Sequence, residues 1–87
     1  WGGEEFIVLL KDTNAGTAGQ LAEKIRQRTE NLVLPFEDQE LRFTTSIGIA
    51  EWQNGDSLQR LIGRADQALY RAKQSGRNRV CVEPPIS

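Results

Sequence analysis

Two adjacent carboxylates, Glu4 and Glu5, directly after Gly2-Gly3 and before Phe6, are the residues of this chain whose types and spacing could do chemistry. Paired glycines permit positive φ and leave room for a ligand to approach the backbone, while adjacent acidic side chains offer hard oxygen ligands to a cation such as Mg²⁺. The stretch Trp1-Gly2-Gly3-Glu4-Glu5-Phe6 is therefore expected to form a tight turn with the local chemistry of a metal-phosphate site. A plainer account also fits it, because an exposed Gly-Gly hairpin tip needs polar residues whatever its function.

The elements that must position this stretch are legible in the apolar pattern. Phe6 to Leu10 is a continuous apolar run, expected as a strand buried on both faces and central in a sheet. Lys11-Asp12-Thr13-Asn14 supplies turn and N-cap candidates, after which Ala18, Leu21, Ala22 and Ile25 recur at helical spacing, predicting an amphipathic helix that ends near Asn31. Leu32 to Glu40, with Pro35 and three acidic residues, reads as a connection. Leu41, Phe43, Thr45, Ile47 and Ile49 then alternate with Arg42, Thr44, Ser46, Gly48 and Ala50, which predicts a strand with small residues on its second face. Gly48 inside that strand suggests a bulge or the close approach of another backbone.

Asn54-Gly55-Asp56-Ser57 reads as a turn running into a helix cap, and Leu58, Leu61, Ile62, Ala65, Leu69 and Ala72 form the stripe of a second helix. Gly76 fits the left-handed residue that follows a helix, Arg79 to Val82 a closing strand, and Pro84-Pro85 its stop. The expected class is α/β (α+β), in the order β-α-β-α-β, with Leu21, Ile25, Leu61, Ile62 and Leu69 in the core.

Composition excludes several classes of function. A net charge of −1 from interspersed acids and bases gives no reason to expect nucleic acid as partner. The single Cys81 cannot form an internal disulfide, and the absence of histidine rules out a Cys/His zinc cluster, so a reducing, cytoplasmic setting is expected for this domain. Cys81 itself reads as a small buried side chain in the last strand. No signal peptide or apolar stretch of membrane-spanning length is present, which leaves open an anchor elsewhere in a parent protein. A chain this short buries only about 60 to 65% of the surface its unfolded form exposes, so its stability should be marginal.

The Gly2-Gly3-Glu4-Glu5-Phe6 stretch, the segment Thr44 to Ala50 and the segment Arg64 to Asn78 together resemble the GGDEF family, the bacterial diguanylate cyclases. The resemblance implies a domain like the palm of nucleotide cyclases and polymerases, with the signature turn near its middle. Residues 1–87 would then be its C-terminal half. It implies condensation of two GTP into cyclic di-GMP and pyrophosphate, with Mg²⁺ or Mn²⁺ and a second GGDEF domain as homodimer partner. Gly2 and Gly3 match the glycines that let the backbone approach the nucleotide. Glu4 matches the metal-binding acid and a candidate for assisting 3′-hydroxyl deprotonation, and Glu5 the second catalytic acid. Lys73 and Arg77 match the cations that hold the β- and γ-phosphates. A point charge and a fork of donors can converge on one phosphate, although cations near a helix C-terminus also complement its dipole for about 0.3 to 1 kcal/mol.

Lys24 matches a secondary basic contact to inhibitory cyclic di-GMP, whereas an Arg-x-x-Asp motif, the guanine-binding residues and the other metal aspartate would precede Trp1. Arg64 and Asp66 read as a surface ion pair or a local helix feature, outside the site. The alternative function is a catalytically silent regulatory domain that binds GTP or cyclic di-GMP. The chain alone is expected to be inactive and to self-associate through an uncovered sheet edge and core face.

Overall fold

Small residues on one face of the longest strand decide how closely the layers pack. The computed structural model describes residues 2–12 and 14–83, in the order β1 (Gly2–Leu10), α1 (Ala15–Glu30), β2 (Val33–Phe36), β3 (Gln39–Glu51), α2 (Leu58–Gln74) and β4 (Val80–Val82). Trp1, Thr13 and Pro84-Pro85, each given a place in the sequence reading, lie outside the described residues.

β3 is the spine of the sheet. It pairs in parallel with β1 from Gly2↔Phe43 to Leu10↔Glu51, and in parallel with β4 from Ile47↔Val80 to Ile49↔Val82. Its first residues pair antiparallel with β2, from Phe36↔Gln39 to Val33↔Arg42. Alternation along β3 then sorts the side chains. Ile47 and Ile49, with Val8, Leu10 and Val80, pack against Ala22 of α1. Ala50, on the other face, packs against Leu61 and Ala65 of α2. Each large apolar side chain so buried is worth about 1.5 to 3 kcal/mol.

Gly48 confirms the expected close approach of another backbone. A Cβ there would lie 2.3 Å from the backbone N of Leu69 and 2.4 Å from the carbonyl O of Ala65. α2 meets this position with the buried Ala65, Ala68 and Ala72, so its axis settles directly onto the sheet. The caps also fall where expected. Asn14 Oδ1 accepts from the N–H of Gly16 at 2.7 Å and of Thr17 at 3.3 Å, and Ser57 Oγ accepts from Arg60 N–H at 3.2 Å.

Several expectations need correction. Residues 33–36 are a strand, not a connection, so the order is β-α-β-β-α-β. Pro35 is accommodated because β2 is an exposed edge strand, where a missing N–H costs no ladder bond. Gly2 to Phe6 is extended strand rather than a tight turn, because β3 supplies a parallel partner along its whole length. β1 is an edge strand, not a central one, and Phe6, Ile7 and Leu9 are exposed.

Leu21 and Ile25 are 61% and 50% exposed rather than core, because they flank an open apolar groove with Val8, Leu10 and Ala22 that no described element covers. Leu61 is buried as expected, Ile62 and Leu69 are half-buried, and Cys81 is half-buried rather than enclosed. Arg64 is 7% exposed, and its ion-pair partner is the carboxylate of Asp56, not Asp66. The Arg64 guanidinium also donates to the carbonyl of Glu51 at 2.7 Å, which ties α2 to the end of β3. The Gln53 N–H, and then Arg64, hold the Asp56 carboxyl below its usual range.

Candidate functional site

Because side chains alternate along β1, Glu4 and Glu5 leave the strand on opposite faces. Glu4 lies opposite Thr45, on the face of Val8 and Leu10 toward α1, whereas Glu5 lies opposite Ser46, on the face toward α2. The close seating of α2 on Gly48 brings its C-terminal end to Glu5. Lys73 Nζ donates to Glu5 Oε1 at 3.2 Å and Arg77 NH1 donates to Glu5 Oε2 at 3.1 Å. These hydrogen bonds, first from Lys73 and then from Arg77, hold the Glu5 carboxyl below the usual glutamate range.

The turn that carries Arg77 is built by the end of α2. Arg77 N–H donates to the Ala72 carbonyl at 2.9 Å and Gly76 N–H to the Lys73 carbonyl at 3.4 Å, the paired bonds of a Schellman motif. Gly76 has φ +118°, and Arg77 and Asn78 follow at +62° and +50°. Two consecutive non-glycine residues in the left-handed region need outside support. Asn78 supplies it: its N–H donates to Ser46 Oγ at 3.1 Å, and its side-chain oxygen accepts from Arg26 NH1 at 3.0 Å. Arg26 is fixed in turn by Glu23 through contacts of 2.7 and 2.6 Å, which raise the Arg26 pKa and lower that of Glu23.

Thus the predicted residues Glu5, Lys73 and Arg77 come together, while Glu4 stands apart from them on the other sheet face. Gly3 has ordinary strand φ, and a Cβ there would meet only Thr44 Oγ1 at 3.9 Å, so the glycine leaves bare backbone rather than relieving a clash. Gly2 sits one position before it, opposite Phe43. Lys24 is exposed on α1. Among the described residues no group of three His, Cys, Asp or Glu could hold a metal ion. The donor chemistry still fits Mg²⁺, which is commonly held by one or two carboxylates together with substrate phosphates, and exposed Glu4 is the carboxylate that the cations leave for it. No helix among the described residues is long and apolar enough to cross a membrane.

Sequence reasoning missed Ser46, Asn78 and Arg26. The Asn after Gly-Arg was the available signal, since Asn tolerates the left-handed region better than most residues.

The chain is similar to several known proteins. Residues 1–79 match the family model described as "Diguanylate cyclase, GGDEF domain". The chain is 42% identical to Diguanylate cyclase A of Treponema denticola over 81 residues, and 48% identical to diguanylate cyclase DgcM of Escherichia coli over 80 residues. Each match covers 92% of this chain, but only 22% and 19% of the respective relative. The GGDEF domain of DgcB from Caulobacter crescentus, solved in complex with c-di-GMP, superposes with a TM-score of 0.76 at 32% identity, over 82% of this chain and 43% of that one. A family match across most of the chain and a shared fold at this identity establish that the chain belongs to the GGDEF family.

Proposed function

We propose that this chain is the C-terminal half of a GGDEF domain in a diguanylate cyclase, acting on GTP in bacterial second-messenger signalling. The observation that carries the reading is the convergence of Lys73 and Arg77 on one anionic group at 3.2 and 3.1 Å. A pair of cations held this close to a single carboxylate is matched to the terminal phosphates of a nucleotide, with Arg supplying a fork and Lys a point charge.

In the complete domain, Glu4 would hold Mg²⁺ or Mn²⁺, which would supply charge neutralisation to the nucleotide. Lys73 and Arg77 hold the β- and γ-phosphates and stabilise the departing pyrophosphate. Gly2 and Gly3 admit the nucleotide to the backbone beside the two acids. The 3′-hydroxyl of each GTP forms a bond to the α-phosphorus of the other, the bond from that phosphorus to the β-phosphate bridging oxygen breaks, and pyrophosphate leaves. Glu4 assists removal of the hydroxyl proton, and Glu5 keeps the two cations in register until phosphate replaces it. The reaction needs two domains face to face, so a homodimer is the working form.

The chain supplies only part of this machinery, and we expect it to be inactive alone. Of the two adjacent acids, Glu5 is taken by Lys73 and Arg77, which leaves Glu4 for the cation. The deciding experiment supplies GTP and Mg²⁺ to the complete domain and separates the nucleotides by chromatography. Cyclic di-GMP is the expected product, whereas tight GTP binding without turnover would replace this reading with a silent regulatory domain.

A further inference from the structure

We propose that Asn78, anchored by Arg26, is a positioning residue that aims Arg77 at the nucleotide's terminal phosphate, so that α1 controls a cation carried by the opposite layer. This rests on the phosphate-binding reading of Arg77. Three observations support it independently of that role.

First, Arg77 and Asn78 both lie in the left-handed region, at φ +62° and +50°, a pairing that a free chain seldom holds. Second, the backbone N–H, backbone oxygen and side-chain amide of Asn78 are held by three residues, Ser46, Arg26 and Glu30. Its N–H donates to Ser46 Oγ at 3.1 Å, its side-chain amide nitrogen donates to Glu30, and its side-chain and backbone oxygens accept from Arg26 NH1 at 3.0 and 3.3 Å. Third, Ser46 is buried and is the β3 partner of Glu5. The same strand position therefore registers the acid on one side and the cation-bearing turn on the other. Arg26 completes the bracket from the far face of the sheet, itself clamped by Glu23 and by Glu30 at 3.4 Å.

The physical consequence concerns binding more than bond making. Arg77 can reach its target only while the turn keeps its left-handed path, and loosening Asn78 spreads the guanidinium over many orientations. Ordering it again must then be done at the expense of nucleotide affinity. Local backbone preference is not enough, because glycine would satisfy the left-handed φ but offers no side chain to Arg26 and Glu30.

The test compares Asn78→Ala, Asn78→Gly and Arg26→Gln in the complete dimeric domain, each alone and combined with Arg77→Ala. Wild-type turnover of GTP is the control; a domain that neither turns over nor binds GTP would sink the functional reading and this one together. Should it bind without turnover, the dissociation constant for GTP replaces KM as the readout. Each single variant is expected to raise KM about tenfold with kcat within about twofold, and to add nothing once Arg77 is already alanine, as expected for residues acting through one shared group. Wild-type KM in Asn78→Gly would overturn the anchoring role, and so would effects that add in full to Arg77→Ala. If the Asn78 variants fail to fold, Arg26→Gln carries the same comparison from the α1 side.

Discussion

Arg77 donates to Glu5 at 3.1 Å although the two residues stand 72 positions apart in the chain. Lys73 donates to the second oxygen of the same carboxylate at 3.2 Å, so one acid of the signature bridges a cation from the last turn of α2 and one from the turn that follows it. The neighbouring acid takes no part, because strand alternation turns Glu4 to the other face of the sheet. Two carboxylates adjacent in sequence are thereby divided between two faces of the sheet.

Glu5 titration should therefore be visible in stability. Its folded pKa lies below its unfolded value, so the paired form contributes stability above the unfolded glutamate pKa of about 4.3 and loses it as pH falls through the folded value. In the complete domain, Glu5→Gln is expected to flatten part of the loss in melting temperature as pH falls below the unfolded glutamate value, leaving the curve above about pH 6 parallel to wild type. Identical acid limbs for the two proteins would show that the bridge does not hold in solution.

Glu4→Ala separates metal binding from folding. Glu4 is exposed and on the described chain makes no recorded ion pair, so its removal should leave the urea midpoint near wild type. Cyclic di-GMP formation by the complete domain should drop at least about 100-fold if Glu4 is the carboxylate that holds the cation, as proposed. Retained turnover would remove Glu4 from the metal site.

Lys73→Ala and Arg77→Ala should each raise the KM for GTP by about 10- to 100-fold, the range expected for losing a charge-assisted contact to phosphate. Arg77→Lys should recover only part of this loss, since a point charge replaces a planar fork. Steady-state kinetics over a range of GTP concentrations distinguishes this from a fall in kcat alone, which would place both residues away from the ground-state nucleotide.

Gly48→Ala tests the packing that brings the site together. The added methyl would sit 2.3 Å from Leu69 N and 2.4 Å from Ala65 O, both backbone atoms of α2 that cannot step aside singly. Displacing the helix should cost about 1 to 3 kcal/mol or more, seen as a lower urea midpoint. It should also weaken GTP binding, because Lys73 and Arg77 ride on that helix. A variant of unchanged midpoint would mean that the sheet and helix are not seated this closely.

Local patterns determined much of this molecule. Helical spacing and the caps Asn14 and Ser57 located both helices, period-two alternation located β3, and Gly48 announced a close backbone contact, because each of these signals depends on neighbours within a few residues. The five signature residues and the two cations were likewise legible as types in a familiar order. Tertiary structure alone decided which of them meet. Pairing with β3 made residues 2–6 a strand and so divided Glu4 from Glu5, the seating of α2 on Gly48 delivered Lys73 and Arg77 to Glu5, and Arg26 reached across the sheet to Asn78. The same holds for what the sequence misplaced. Leu21 and Ile25 carry a core pattern yet face an open groove, and Arg64 carries a surface pattern yet is buried on Asp56, because burial is settled by what packs over a residue rather than by its own chemistry.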